Sequence, residues 1–211
     1  VLAKGLGVRL MSVGNTGGWR DFATTNKEIR TPADLRGMKI RTTPAPLEQQ
    51  FVRELGANPT PIAWSEIYLA LATGVVEGTK NSVQDIVGMK LQESIKHITT
   101  DHHAYMGAMW WYSDPRWRAL PEDLQEIVRQ GFADLKVVTR ELPKERQKAS
   151  FETFKQAGGA VYTPTADDRA AFRKAASGMR AWYVKTYGDA WLTRLDAETA
   201  RCAQAIDAMK Q

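Results

Sequence analysis

The sequence predicts an α/β fold. Short runs of alternating apolar and polar residues recur between amphipathic helical stretches, and glycine or proline punctuates nearly every junction. A third observation is Thr31-Pro-Ala-Asp-Leu-Arg-Gly-Met-Lys-Ile-Arg41, which packs a helix and a strand into one short stretch. Thr31 suits an N-cap and Pro32 the first helical position, where a backbone N–H would be orphaned anyway. Gly37 supplies the stop, and Met38, Lys39 and Ile40 alternate as a strand does. The strand ends on Arg41, and Pro44 and Pro46 turn the chain away. A guanidinium therefore stands at the carboxyl end of a strand beside the next helix, where open α/β sheets bind ligands. Arg41 is the leading candidate to grip a substrate carboxylate.

Upstream, Val8–Val13 alternates as a strand and Gly14–Gly18 breaks it. The glycine spacing fits neither phosphate-loop pattern, so a flexible crossover is expected. Trp19, Arg20 and Phe22 follow. Arg20 reads as a second cleft cation with Trp19 as a wall, or equally as a surface arginine packed on Trp19. Downstream, Leu47–Leu55 has helical spacing and Gly56 closes it. Asn58–Ile62, with two prolines, is a short extended edge. Ser65 is expected to cap a helix over Glu66–Thr73, with Trp64 before it as a pocket wall or a core ring. Val75–Ser82 reads as a strand leading into a loop. Asn81, at its carboxyl end, offers an amide to a ligand or caps a helix.

Val83–Ile98 is amphipathic, interrupted near Gly88. Asp101-His102-His103 reads as turn or packing residues, because neighbours on a strand face opposite ways and would not chelate one ion together. Ala104–Tyr112 is an aromatic-rich strand. One of Trp110 and Trp111 should face the core and the other a cleft, and Trp110 is taken as the cleft candidate. Asp114–Trp117 is a helical turn, and a long helix from Leu120 should kink or break at Pro143 yet last to about Gln156. Gly158-Gly159 ends it, Ala160–Tyr162 is a strand, Thr165 caps a helix ending near Gly188, and Ala190–Met209 is the last helix.

With 211 residues there is room for one large domain or two small lobes. No apolar run approaches the roughly 20 residues of a membrane span. The net charge is +5, yet the basic residues are dispersed, which argues against a nucleic-acid surface. Cys202 stands alone, excluding an internal disulfide and a multi-cysteine zinc site. Val1 is not methionine and Val1–Gly7 has no signal-peptide character, so the expectation is of a fragment. Neither a G-x-S-x-G elbow nor an H-E-x-x-H motif is present. The residues that stand out are grippers rather than proton movers, and no catalytic residue, cofactor or metal is expected. A receptor for a small acid leads; an enzyme on a similar scaffold and a regulator's ligand-sensing domain are the rivals.

Thr31–Arg41, Leu55-Gly-Ala-Asn-Pro-Thr-Pro-Ile-Ala-Trp-Ser-Glu-Ile-Tyr-Leu-Ala-Leu71 and Thr73-Gly-Val-Val-Glu-Gly78, continued by Lys90–Ile98 and Leu120–Gln125, resemble the solute-binding proteins of TRAP transporters, the DctP family. The resemblance implies a two-lobed periplasmic binding-protein fold of class II type, its first lobe incomplete here. It implies a periplasmic receptor that hands a small organic acid to sodium-driven membrane subunits without itself entering the membrane. On that resemblance Arg41 pairs with the ligand carboxylate, Arg20 matches a second arginine and Asn81 a ligand asparagine. The usual Gln-Glu-Asn-Pro reads Thr79-Lys80-Asn81-Ser82 here, which exchanges an acid for a lysine. The expected division is 1–17, a remnant strand of the first lobe; 18–102, the gripping lobe; 103–155, first-lobe chain and the long helix; and 156–211, a strand and helices packed across both.

Overall fold

The computed structural model describes residues 5–209; the opening stretch read from Val1 is therefore described only from Gly5. Its centre is a six-stranded mixed sheet. The strands are β1 (Val8–Thr24), β2 (Lys39–Thr42), β3 (Asn58–Pro61), β4 (Gly78–Asn81), β5 (His97–Ser113) and β6 (Ala160–Tyr162), in the spatial order β3-β2-β4-β1-β5-β6. β2 runs parallel to β3 and β4, β5 runs parallel to β6, and β1 is antiparallel to both its neighbours. β3 lies at an edge, where its two prolines remove no ladder hydrogen bond from a central strand.

Eight helices lie wholly within the described residues: α1 (Pro46–Glu54), α2 (Ile67–Ala72), α3 (Val83–Gly88), α4 (Asp114–Ala119), α5 (Glu122–Gln156), α6 (Ala166–Ala175), α7 (Met179–Tyr187) and α8 (Ala190–Ala208). Two apolar cores form. One gathers Phe22, Ile40, Val52 and Phe172 under α1 and α6; the other gathers Ala23, Ile67, Ile86 and Phe154 under α2, α3 and the end of α5. Phe22 and Ala23 are successive residues in different cores, so the period-2 alternation of β1 separates the two faces of the sheet.

The largest departure from the sequence reading is at Gly14–Gly18. No crossover loop forms; β1 continues through it for 17 residues, with a register shift against β5 between Asn15 and Trp19. Asn15 explains the continuity. Its Oδ1 accepts from the N–H groups of Gly17 (2.9 Å) and Gly18 (2.6 Å), satisfying donors that the bulge takes out of the ladder. Gly18 has φ +75°, open to glycine at little cost. Gly14 is required for packing: a Cβ there would meet Thr139 Oγ1 of α5 at 2.2 Å.

Other boundaries moved for local reasons. The helix read over Val83–Ile98 ends at Gly88; Lys90 takes φ +56°, a 3-10 turn follows at Leu91–Glu93, and the chain enters β5 at His97. Ser65 caps nothing, because a 3-10 turn over Trp64–Glu66 delays α2 to Ile67 and moves the N-cap position to Glu66. Within the stretch read as a strand over Val75–Ser82, only Gly78–Asn81 pairs. α5 runs its full 35 residues through Pro143 without ending there. Pro143 is buried, and its carbonyl accepts from Gln84 Nε2 at 2.8 Å, which ties the helix to α3. The reading of Ala160–Tyr162 and of the Thr165 cap matches the structure, Thr165 Oγ1 accepting from Asp168 N. The helix that this cap opens stops at Ala175, and a 3-10 turn at Ala176–Gly178 separates it from α7.

Candidate functional site

β2 places Arg41 where the sequence expects it, and the side chain is only 4% exposed. Ile40 belongs to the α1 core, so Arg41 points to the other face, toward Trp64. Its Nε donates to Ile62 O at 3.0 Å, and its guanidinium carbon lies 5.5 Å from the Trp64 ring centroid. Among the described residues neither terminal nitrogen makes a hydrogen bond to protein. Burial pushes the Arg41 pKa down; Glu48 opposes this and Arg20 adds to it, so the three charges share one field.

Arg20 is fixed by Glu48, its Nη1 2.8 Å from Oε1. Lys80 approaches the same carboxylate, Nζ to Oε2 3.1 Å, and Thr43 N–H donates to Oε2 at 3.1 Å. Burial alone would raise the Glu48 carboxyl, but Lys80, the Thr43 amide and Arg20 together hold it at about 2. Lys80 is driven the other way: its burial lowers the ammonium pKa despite Glu48. The pair is therefore worth less than the lowered Glu48 pKa alone suggests, because desolvating Lys80 offsets part of the attraction.

Asn81 is 2% exposed and already engaged: Oδ1 accepts from Thr79 Oγ1 (2.7 Å) and Nδ2 donates to Asp85 Oδ2 (3.2 Å). It stands at the entry to α3, the cap-like setting the sequence allowed. Trp64, 38% exposed, covers Arg41. Trp19 and Trp110 are not brought to this cluster. Trp19 stacks on His102 (centroids 5.5 Å) and meets Tyr105 edge-on, a consequence of the bulge that precedes it. Trp110 is half-buried against Gly14, whose added Cβ would come within 2.9 Å of Trp110 Cζ3, so it packs toward α5. Trp111 is the more open ring of the pair.

Sequence reading missed Glu48, which lies on α1 and looked like one polar residue of an amphipathic helix. Lys80 was the available signal, since a buried ammonium requires a counter-charge. It also undervalued His103, whose ring lies 4.9 Å from Phe22 and 5.2 Å from Phe51 and whose Nδ1 is 2.8 Å from Asp101 Oδ2. Arg20, Glu48, Lys80 and His103 line a cleft of about 380 Å³, closed on its other sides by Leu47, Phe51, Ala104, Ala176 and Met179. Two cations, Arg20 and Lys80, face one carboxylate here between largely apolar walls, an arrangement whose excess positive charge suits an anion.

The chain is similar to several known proteins. Over 183 residues the chain is 28% identical to the 2,3-diketo-L-gulonate-binding periplasmic protein YiaO of Escherichia coli K12, covering 86% of this chain and 55% of that protein. It is also 28% identical over 186 residues to the C4-dicarboxylate-binding periplasmic protein DctP of Rhodobacter capsulatus, covering 88% and 54%. The chain thus spans about half the length of these relatives. A TRAP periplasmic solute-binding protein from Ralstonia eutropha H16, solved with (S)-2-acetolactate, superposes with a TM-score of 0.85 at 27% identity, over 94% of this chain and 64% of that one. Residues 2–185 match DctP, the bacterial extracellular solute-binding protein family 7, and the chain belongs to that family.

Proposed function

We propose that this chain is the gripping portion of a periplasmic receptor that captures a small organic acid and passes it to the membrane subunits of a TRAP transporter. One observation carries the reading. Arg41 is buried, held in place through Nε by Ile62, and covered by Trp64, while its terminal nitrogens stay uncommitted within the protein. That planar pair of donors matches a carboxylate bidentately. Arg20 and Lys80 add positive potential, Glu48 restrains it, and Trp64 supplies an apolar wall. Asn81, Trp19 and Trp110 take second-rank roles in this proposal, because their side chains are engaged or turned elsewhere.

The relatives support the ligand class: a diketogulonate, C4-dicarboxylates and an acetolactate are all carboxylic acids. In the proposed receptor residues 18–102 supply the gripping lobe, and residues 1–17 and 103–155 join it to a second lobe through the long strands β1 and β5. Ligand selects the closed form, and closure expels water and strengthens the charge contacts. Calorimetry of the intact protein against succinate, malate, glucuronate and acetolactate tests the reading. At least one acid is expected to bind, and Arg41→Ala is expected to weaken it by tens of fold or more, since truncating one partner of a buried charge pair costs about 2–5 kcal/mol. Unchanged affinity in Arg41→Ala removes Arg41 from the site.

A further inference from the structure

The charges around Arg41 come close to cancelling, and the remainder limits what the site can accept. Arg20 Nη1 lies 2.8 Å from Glu48 Oε1 and Lys80 Nζ lies 3.1 Å from Glu48 Oε2, so one carboxylate stands between two cations. Asp85, in the first turn of α3, is a second carboxylate; its Oδ2 accepts from Asn81 Nδ2 at 3.2 Å and from Ser82 N at 3.3 Å. Burial lowers the Arg41 pKa most, Glu48 and Asp85 raise it, and Arg20 lowers it further. Lys80 is likewise lowered most by burial, with Glu48 opposing and Arg20 and Arg41 adding to it. These five side chains therefore share one field, and three cations against two carboxylates leave a single positive charge. That charge has an outlet: among the described residues the terminal nitrogens of Arg41 carry no hydrogen bond to protein.

One ligand carboxylate on those nitrogens neutralises the cluster. A second has no counterpart. Both cations lining the cleft, Arg20 and Lys80, already face Glu48, and Leu47, Phe51, Ala104, Ala176 and Met179 offer only apolar surface. A buried ion without a partner is costly, and Glu48 adds like-charge repulsion. We infer that Glu48 is a specificity-determining residue that restricts this cleft to acids carrying a single carboxylate. A site discriminates by what it repels as well as by what it attracts. The ligands named for the relatives carry one carboxylate in the diketogulonate and acetolactate cases and two in the C4-dicarboxylate case, so the number differs from protein to protein. The inference rests on the acid-binding reading above.

The test is calorimetry on the intact protein with matched acids that differ by one carboxylate: 2-oxovalerate against 2-oxoglutarate, gluconate against glucarate, monomethyl succinate against succinate. In every pair of which a member binds, the acid with one carboxylate is expected to bind about tenfold or more tightly. Glu48→Gln leaves a second positive charge and is expected to bring the dicarboxylate to parity or better. Glu48→Gln combined with Lys80→Met removes the carboxylate together with one cation, returns the balance to one positive charge, and is expected to restore the preference. The comparison on the unaltered protein needs no variant, and the double variant leaves no unpaired buried ammonium, so both still answer if Glu48→Gln does not fold. An unaltered protein that binds both members equally, or the dicarboxylate more tightly, overturns the inference and leaves the acid-binding reading intact. Equal weakening of both members in Glu48→Gln also overturns it, since Glu48 would then only hold Arg20 and Lys80 in place, as does a double variant without the preference. Failure of every acid to bind the unaltered protein overturns both.

Discussion

Lys80 Nζ lies 3.1 Å from Glu48 Oε2, with the lysine 3% exposed and the partner carboxylate shared with Arg20. This contact joins β4 to α1 across the sheet face that carries the cleft. Lys80 brings a second cation beside Arg20, and α1 supplies the carboxylate that lies between them from a different part of the chain.

Acid is expected to release this cluster. Glu48 is held at about 2 in the folded protein against an ordinary 4.5, so its contribution is complete above about pH 4.5 and is lost as pH falls toward 2. The ceiling is about 3 kcal/mol, since each tenfold change in proton affinity is worth ~1.4 kcal/mol, and desolvation of Lys80 lowers it. Urea melts at pH 6 and pH 3 are expected to show a smaller difference in Glu48→Gln than in the unaltered protein. An identical acid sensitivity in both would place the loss at other carboxylates.

A double-mutant cycle separates the Lys80–Glu48 interaction from its surroundings. Lys80→Met alone is expected to destabilise by about 1–3 kcal/mol, less than breaking an isolated buried pair, because Arg20 and the Thr43 amide remain on Glu48. Combining it with Glu48→Gln is expected to cost less than the sum of the two, with a coupling of at least ~0.5 kcal/mol. Additive values would mean that the close contact contributes nothing net.

Arg41→Lys probes the fork rather than the charge. Lysine keeps a cation near the same place but has one nitrogen, so it cannot bond Ile62 O and still offer two parallel donors to a carboxylate. Affinity for the best acid is expected to fall at least about tenfold while the melting temperature changes little. Near-native affinity would show that a point charge suffices.

The legible part of the fold and site was local. Thr31–Arg41 placed β2 and its arginine because cap, stop and strand chemistry are all written within a few residues, and Ala160–Tyr162 was marked by the glycines before it. The Glu48–Lys80 pairing was not legible, since it is set by the spatial order β2-β4-β1, which neither residue's neighbours encode. The continuity of β1 was hidden for another reason. Glycines at Gly14, Gly17 and Gly18 ordinarily signal a loop, and here they admit Thr139, Ser82 and a positive φ while the Asn15 side chain substitutes for lost ladder bonds. Trp19 follows that bulge, while Trp110 pairs with Ser12 beside a separate register shift between Leu10 and Ser12, so where each ring stands was not legible from alternation alone.

Gly159 offers a test of the turn that ends α5. A Cβ there would lie 2.2 Å from Phe154 Cε1 and 2.5 Å from two further ring atoms, and Phe154 is fully buried in the α2–α3 core. The ring has no open space to retreat into, and Gly159 N–H donates to Phe154 O at 3.0 Å, which fixes the backbone of the turn over the ring. Gly159→Ala therefore forces either an off-rotamer phenylalanine or a displaced turn, and overpacking of this kind costs about 1–3 kcal/mol. Gly158, with φ +82° and nothing within 4 Å of an added Cβ, gives a contrasting case in which only backbone strain opposes alanine. Phe154→Leu is expected to rescue Gly159→Ala in part and to do nothing for Gly158→Ala. Thermal melts of the four variants decide this; equal effects of Phe154→Leu on both glycine variants would show that strain in the turn, and not the ring, sets the cost.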